Sequence, residues 1–310
     1  MTEPSGEFAY INWIRSQLPA EDGVTTIGSG DDMAEVRLPT GGRVLVGTDA
    51  ILEGTHFDLR RDAPADVGWK ALAVNLSDVA AMAAEPICGV GTLALPRTMA
   101  MTAAQEIFAG IKRCADAYGC RWVGGDITAW DAPLAITVTV LAWAEKPVRR
   151  NGAKVGQVVA VTGSLGGSLL GRHLTFPPRI AEARKLAAAV RLGAMMDLSD
   201  GLSSDIGHIC QESGVGVVIE GAKVPVSAAA EKMAARDGRT ALDHAINDGE
   251  DFELLFTCEA ADAAALGKLD LGVPVTVIGR IVAAGEGRVL VDQHSHAAAL
   301  MPGGYEHWKK

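Results

Sequence analysis

The chain has 310 residues, 48% of them hydrophobic and 21% charged, with 38 acidic against 28 basic side chains for a net charge of −10. This composition is globular and excludes a disordered chain, and its acidic balance argues against nucleic acid or an anionic membrane as partner. The length suits two domains or one large α/β domain.

The opening MTEPSGEFAY is acidic and polar, without the basic and apolar regions of a secretory signal, so a cytoplasmic location is expected. Arg43–Gly47 (RVLVG) reads as a strand rich in Val and Leu. Pro64 to about Ala84 reads as a long helix stopped by Pro86. A strand over Ile87–Leu95, a helix over Thr102–Tyr118 and a strand over Leu134–Trp143 follow. The last is the most apolar run, far short of the roughly 20 residues of a membrane span. EKPVRRNG at 145–152 breaks the apolar pattern and sets a boundary between units 1–147 and 148–310. Val155–Val161 is the next strand, and the Gly-rich turn Thr162–Ser168 is either a phosphate cradle of backbone N–H groups or a tight strand-to-helix turn. Helices over Ile180–Leu192 and Ser203–Ser213 and a strand over Val215–Ile219 complete the clear elements. Ala-rich segments near 227–235 and 260–266 read as surface helices, and DQHSHAAA, with His294 and His296, as a polar turn. Cys88, Cys114, Cys120, Cys210 and Cys258 are scattered without a C-x-x-C pair, as expected of reduced, buried thiols.

Acidic residues recur after apolar runs in short groups that also carry Gly, Ser or Thr: Asp31 and Asp32, Asp49, Asp78, Asp126, Asp197 and Asp200, then Asp248, Glu250 and Asp251. Singly, each is an ordinary turn or capping residue. As a set, strand ends in an α/β sheet converge on one crevice, which would gather several carboxylates. Asp78 sits in the nearly apolar helix WKALAVNLSDVAAMA with Asn75 on the same face, and its nearest helical cation, Lys70, is two turns away. Buried ionised carboxylates must be paired or bound to metal. Two like charges 4 Å apart repel by about 4 kcal/mol at an effective dielectric near 20, so converging carboxylates require divalent ions. All-oxygen donors select Mg²⁺, Mn²⁺ or Ca²⁺ over zinc, and Mg²⁺ commonly completes its shell with substrate phosphates. A P-loop, the protein-kinase motif set and calcium-loop spacing are all missing.

GSGDDMAEV, VGTDAILEGTHF, DVGWKALAVNLSDVAAMAAEP, WVGGDI, RRNGAKVG, VTGSLGGS, MMDLSDGLSSDIGHI and DGEDFELLF occur in the order seen in thiamine-monophosphate kinases. The chain resembles that family, within the superfamily of aminoimidazole ribonucleotide synthetase, selenophosphate synthetase and a hydrogenase-maturation protein, from Gly6 to Tyr305. The resemblance implies a mixed α/β fold of two domains: an N-terminal one forming a dimer-interface sheet or barrel, and a C-terminal one, with ATP between them. It implies several Mg²⁺ ions on Asp32, the Gly47 carbonyl, Thr48, Asp49, Asp78, Asp126, Asp197 and Asp200, with Asp126, Asp78 and Asp49 at the catalytic centre. Gly125, Asp126, Arg150 and Ser199 match nucleotide-binding positions, and Phe108 either lies near the nucleotide or packs in the core. His56, Glu250 and Tyr305 match positions that touch thiamine phosphate, with a packed loop histidine as the other reading of His56. Asp31 and Asp251 are expected as capping groups, and Asp248, where relatives usually have Gly, as an added negative charge at the substrate edge.

The implied reaction is in-line transfer of the ATP γ-phosphoryl group to thiamine monophosphate by a cytoplasmic homodimer, with no nucleic-acid or membrane partner. The acceptor is already an anion, so no general base is needed. The alternatives are another ATP-using member of the superfamily with a different acceptor, or a non-catalytic nucleotide- and metal-binding assembly factor. Selenophosphate synthesis fits poorly because it needs a reactive cysteine near the N-terminus and the first here is Cys88.

Overall fold

The computed structural model of the chain describes residues 7–18 and 22–305. Its elements begin with helix α1 (Glu7–Gln17) and strands β1 (Thr25–Ile27), β2 (Ala34–Arg37) and β3 (Arg43–Leu52). Helix α2 (Pro64–Ala81), strand β4 (Glu85–Pro96), helix α3 (Met101–Tyr118) and strands β5 (Arg121–Trp130) and β6 (Ala135–Trp143) follow. These strands form one six-stranded sheet in the order β1-β2-β3-β6-β4-β5. In β3, buried Leu45 and Ile51 alternate with half-buried or exposed neighbours, the period-2 pattern of a sheet covered on one face. The covering layer is α2 and α3, which cross closely: a Cβ added at Gly68 would lie 1.9 Å from the Ile107 carbonyl oxygen, and one at Gly110 1.9 Å from that of Ala65.

The second half contains β7 (Val158–Thr162), α4 (Arg172–Thr175), α5 (Ile180–Ala189), β8 (Leu192–Asp197), α6 (Leu202–Ser213) and β9 (Val215–Glu220). Then come α7 (Ala228–Asp237), α8 (Ala241–Asn247), β10 (Leu254–Cys258), α9 (Ala263–Leu266), β11 (Val275–Ala283), β12 (Arg288–Val291) and β13 (Ala297–Ala299). The seven strands are ordered β13-β12-β9-β11-β7-β10-β8. The class is mixed α/β with two sheets, as the sequence led us to expect. Pairing is parallel between β4 and β5 and between β12 and β9, and antiparallel elsewhere among the named strands.

Helix α2 joins the two halves. It is buried almost from Val67 to Ala81, packing on the first sheet with one side and on β8, α4 and α5 with the other. One apolar cluster therefore runs from Leu45 through Leu72 and Leu76 to Phe176, Met195 and Phe256.

Several elements differ from the sequence expectation. Helix α2 ends at Ala81, because Ala83 takes a left-handed φ of 52° and the Ala84 N–H bonds back to the Val79 carbonyl, a Schellman turn with Ala in the usual Gly place. Pro86 already lies in β4. Helix α5 stops at Ala189, and β8 takes over Leu192. Strand β3 continues five residues past the apolar run, through Asp49 to Leu52, since antiparallel pairing with β6 persists across the polar positions. The Ala-rich helices α7 and α9 and the turn at 292–296 are present as expected.

Candidate functional site

The carboxylates are not gathered by strand ends. Asp49 lies inside β3 and Asp78 inside α2, while Asp197 is the last residue of β8 and Asp32 sits in the turn before β2. They meet where α2 passes between the two sheets. Carboxylate oxygens of Asp32, Asp78 and Asp197 lie within 4.8 Å of one another. Asp49 is close enough to Asp78 for the two charges to repel, and its backbone N–H donates to Asn75 Oδ1 at 3.2 Å, which pins β3 to α2. Gly47 lies beside the cluster: a Cβ there would crowd the Met33 side chain at 3.3 Å and stand in ordinary contact with Asp78 Oδ2 at 3.7 Å. These groups form the floor of a cavity of about 600 Å³ lined also by Thr48, Arg150, Ser199, Asp200, Asp205 and His208.

The electrostatics are those of an unpaid charge. Burial, then Asp49, Asp197 and Asp32, hold the Asp78 carboxyl well above the usual range. Burial and Asp32 push Asp197 up to about 7, against a 2.5 Å hydrogen bond from the Ser77 hydroxyl. Asp49 is raised, mainly by burial. Lys70 does not serve this group; the cation that reaches it is Arg150, which grips Asp32 with two N–H donors at 3.1 and 2.7 Å. One guanidinium against four clustered carboxylates leaves a deficit of positive charge, and the donors are all hard oxygens, so the set fits Mg²⁺. Asp31 behaves as a cap, accepting from the Arg150 backbone N–H and the Arg149 side chain.

A second group, Asp200, Asp205 and His208, escaped sequence reasoning except for Asp200. Their ligand atoms also lie within 4.8 Å of one another at the start of α6. Asp205 Oδ2 accepts from the N–H groups of Asp200 and Gly201, while its buried Oδ1 has no hydrogen-bond partner. Burial, with Arg150 nearby, holds His208 down at about 4, so it is a neutral imidazole at pH 7. The signal available was DLSDGLSSDIGH itself, whose Asp and His fall one turn apart on the helix.

Next to the large cavity lies a smaller one of about 270 Å³, lined by His56, Val74, Glu250, Phe252 and Tyr305 among others. The two share Asp49, Ser199 and Asp200 as a common wall. The three residues matched to the acceptor thus stand in one pocket. His56 Nδ1 accepts from the Leu52 N–H at 3.0 Å, and the Tyr305 N–H donates to the Asp200 carbonyl at 3.1 Å. Glu250 holds a left-handed φ of 54° and Phe252 one of 50°, both costly for side chains other than Gly. Asp248 lines the pocket but is paired there with Arg239 at 2.9 Å and hydrogen-bonded to His244 Nδ1, so the added charge already has a partner. The Gly-rich turn is a turn: the N–H groups of Gly163, Leu165, Gly166 and Gly167 donate to Pro274, Pro225, Asp251 and Asp248.

Phe108, Gly125 and Asp126 lie elsewhere. Register runs Asp126–Thr92–Thr137–Ala50 across β5, β4, β6 and β3, so Asp126 is three strands, about 14 Å, from Ala50. Ala50 faces away from its neighbour Asp49, and Asp126 therefore points to the sheet face opposite the cluster. That face is uncovered, with Val90, Leu141 and Trp143 exposed, while Ile127, also exposed at the sheet edge, alternates to the other face with Leu93. Phe108 is half exposed beside β5, edge-on to Trp122 with ring centroids 6.4 Å apart.

A two-sheet α/β chain with an aspartate cluster between its halves defines a class that comparison makes specific. Residues 30–144 match the AIR synthase related protein N-terminal domain, and residues 151–292 the AIR synthase related protein C-terminal domain. The thiamine-monophosphate kinase of Rhodopirellula baltica is 42% identical over 281 residues, 88% of either chain. That of Aquifex aeolicus is 32% identical, covering 89% of this chain and 95% of its own. The solved structure "AaThiL complexed with AMPPCP and TMP" superposes with a TM-score of 0.84 at 32% identity, covering 98% of this chain and 97% of that one. The chain belongs to the thiamine-monophosphate kinase family.

Proposed function

We propose that the protein transfers the γ-phosphoryl group of ATP to thiamine monophosphate, forming thiamine diphosphate. The observation that carries this reading is the pair of adjoining cavities with a shared carboxylate wall. A donor in the large cavity and an acceptor in the small one would meet at Asp49, Ser199 and Asp200. A relative of high similarity holds both an ATP analogue and TMP. Arg150 and Ser199 bind the nucleotide in this reading, and His56, Glu250 and Tyr305 the acceptor. Several Mg²⁺ ions held by Asp32, Gly47, Thr48, Asp49, Asp78, Asp126, Asp197 and Asp200 would supply the charge that offsets repulsion between two sets of phosphates. The protein's own contribution is positioning and exclusion of water, since the acceptor phosphate is already a nucleophilic anion.

We take residues 1–147 and 148–310 as the two units, and the first as the dimerisation unit of a cytoplasmic homodimer. Its open sheet face carries exposed Val90, Leu141 and Trp143 together with Asp126, which is remote from the cluster of its own chain. A second copy laid on this face would bring its Asp126 toward Thr48 and complete the site, which explains why the residues matched to one nucleotide fall into two separate groups. No helix among the described residues is long and apolar enough to cross a membrane.

The direct test is product analysis with purified protein, ATP, Mg²⁺ and thiamine monophosphate. Thiamine diphosphate and ADP in equal amounts support the assignment. ATP turnover with aminoimidazole precursors instead, or binding without turnover, would move it to another member of the superfamily or to an assembly factor.

A further inference from the structure

Lys70 is completely buried in the middle of α2, one turn above apolar Val74, and neither cavity is lined by it. Its ammonium does not face the aspartate cluster. Nζ instead donates to the carbonyl of His56 at 2.8 Å and to both oxygens of Glu250 at 2.7 and 2.8 Å, and lies 2.9 Å from Nδ1 of His173. Nδ1 of His173 is in turn 3.1 Å from Glu250 Oε2. His56 belongs to the loop after β3 and Glu250 to the segment before β10, 180 residues from Lys70. One amine therefore ties together two walls of the smaller cavity that come from opposite halves of the chain.

Replacing a buried ion pair by apolar residues of similar size commonly costs nothing or adds stability. Stability therefore gives little reason for an ammonium here. The geometry gives a better one. Glu250 is held on a strained backbone, its carboxylate is 20% exposed, and that exposure is into the cavity. A carboxylate has about four acceptor sites, and Lys70 occupies those turned inward, leaving the others for a ligand. We propose that Lys70 is a positioning residue of the acceptor pocket: it orients the Glu250 carboxylate, so that the pocket presents a fixed acceptor to the amino- and cation-bearing heteroaromatic half of the phosphate substrate. His173 completes the cradle from α4. Burial draws the Lys70 pKa down while Glu250 opposes it; His173 and Lys70 together outweigh burial and keep Glu250 below the usual range. This inference rests on the assignment of the smaller cavity to thiamine monophosphate.

The test is a double-mutant cycle with Lys70→Met, Glu250→Gln and the double variant, reading KM for thiamine monophosphate, KM for ATP and kcat in the full-length enzyme. If Lys70 acts through Glu250, each single variant raises the acceptor KM about tenfold or more, as for loss of a charge-assisted hydrogen bond, and leaves the ATP KM within about twofold. The double variant then stays near the Glu250→Gln value. An acceptor KM unchanged in Lys70→Met, an equal rise in both KM values, or singles whose effects multiply in the double overturns the proposal. An acceptor KM unchanged in Glu250→Gln instead overturns the assignment of the cavity, and the proposal with it. Should Lys70→Met fail to fold, the charge-balanced double variant decides, because it must match Glu250→Gln.

Discussion

Asp78→Asn separates the cost of the cluster from its use. The substitution keeps the shape and removes one negative charge from a group whose oxygens lie within 4.8 Å of one another. At that distance each like-charged pair repels by about 3.5 kcal/mol at an effective dielectric near 20. Asp78 faces Asp32 and Asp197 at this range, and Arg150 offsets roughly one of the two repulsions. A net cost of about 3 kcal/mol remains, part of which the protein escapes by taking up a proton. In EDTA, Asp78→Asn is therefore expected to be more stable than wild type by about 2–3 kcal/mol at pH 8, raising the melting temperature by several degrees. The pH dependence has a definite sign. Asp78 and Asp197 have folded pKa values above the unfolded 3.8, Asp197 at about 7, so the folded state holds more protons than the unfolded one between them. Metal-free wild type thus loses stability as pH rises through this window, and the advantage of Asp78→Asn grows with it. With Mg²⁺ and ATP the order reverses: wild type gains stability from ligands the variant binds poorly, and turnover of the variant falls by about 10³-fold or more. Calorimetry in EDTA and in Mg²⁺-ATP, with a thiamine diphosphate assay, reads all of this. A variant less stable than wild type without metal, or one with near wild-type turnover, would refute the reasoning.

Asp126→Asn should abolish turnover while leaving metal-free stability within about 0.5 kcal/mol, because Asp126 is exposed on β5. If Asp126 serves the partner's site, inactive Asp78→Asn and Asp126→Asn chains refolded together should recover about a quarter of wild-type activity by random pairing; no recovery would count against a shared site. Leu141→Asp, on the uncovered face of the first sheet, should convert the proposed dimer to monomer in sedimentation and remove activity with it. Arg150→Met should raise the ATP KM and, by leaving Asp32 unpaired, destabilise the metal-free protein by about 3 kcal/mol in a denaturant titration. Burial pushes the thiols of Cys120, Cys210 and Cys258 up to about 12, 11 and 11, and Cys114 higher still, so a thiol reagent at pH 8 should spare these four in the native protein and label all five cysteines after unfolding.

Much of the site was legible because its signals are local. Gly ahead of Asp suggests a tight turn or cap, and an Asp within WKALAVNLSDVAAMA is expected to face inward, where the structure sets it half-buried on the cavity floor. The strand β5 was missed because RWVGGDITAW lacks the alternation of a half-buried strand, being uncovered along nearly its whole length. The continuation of β3 was missed because Thr48 and Asp49 look like a turn and are held extended only by β6. The ends of elements were set by details such as the left-handed Ala83, which no propensity anticipates.

The sequence by itself determined the kind of chemistry: hard oxygen donors in quantity, helix α2 with one acid in its apolar run, and motifs ordered as in one family. Tertiary structure decided which acids meet. Alternation along β3 turns Asp49 toward α2 and its neighbours away, and strand order then sets Asp126 three strands off on the opposite face. It also decided that Lys70 answers Glu250 and not Asp78, two turns along the same helix. Spacing along the chain fixes which direction a side chain takes from its own element, but the neighbour found in that direction depends on packing between segments more than a hundred residues apart, and no local pattern encodes it.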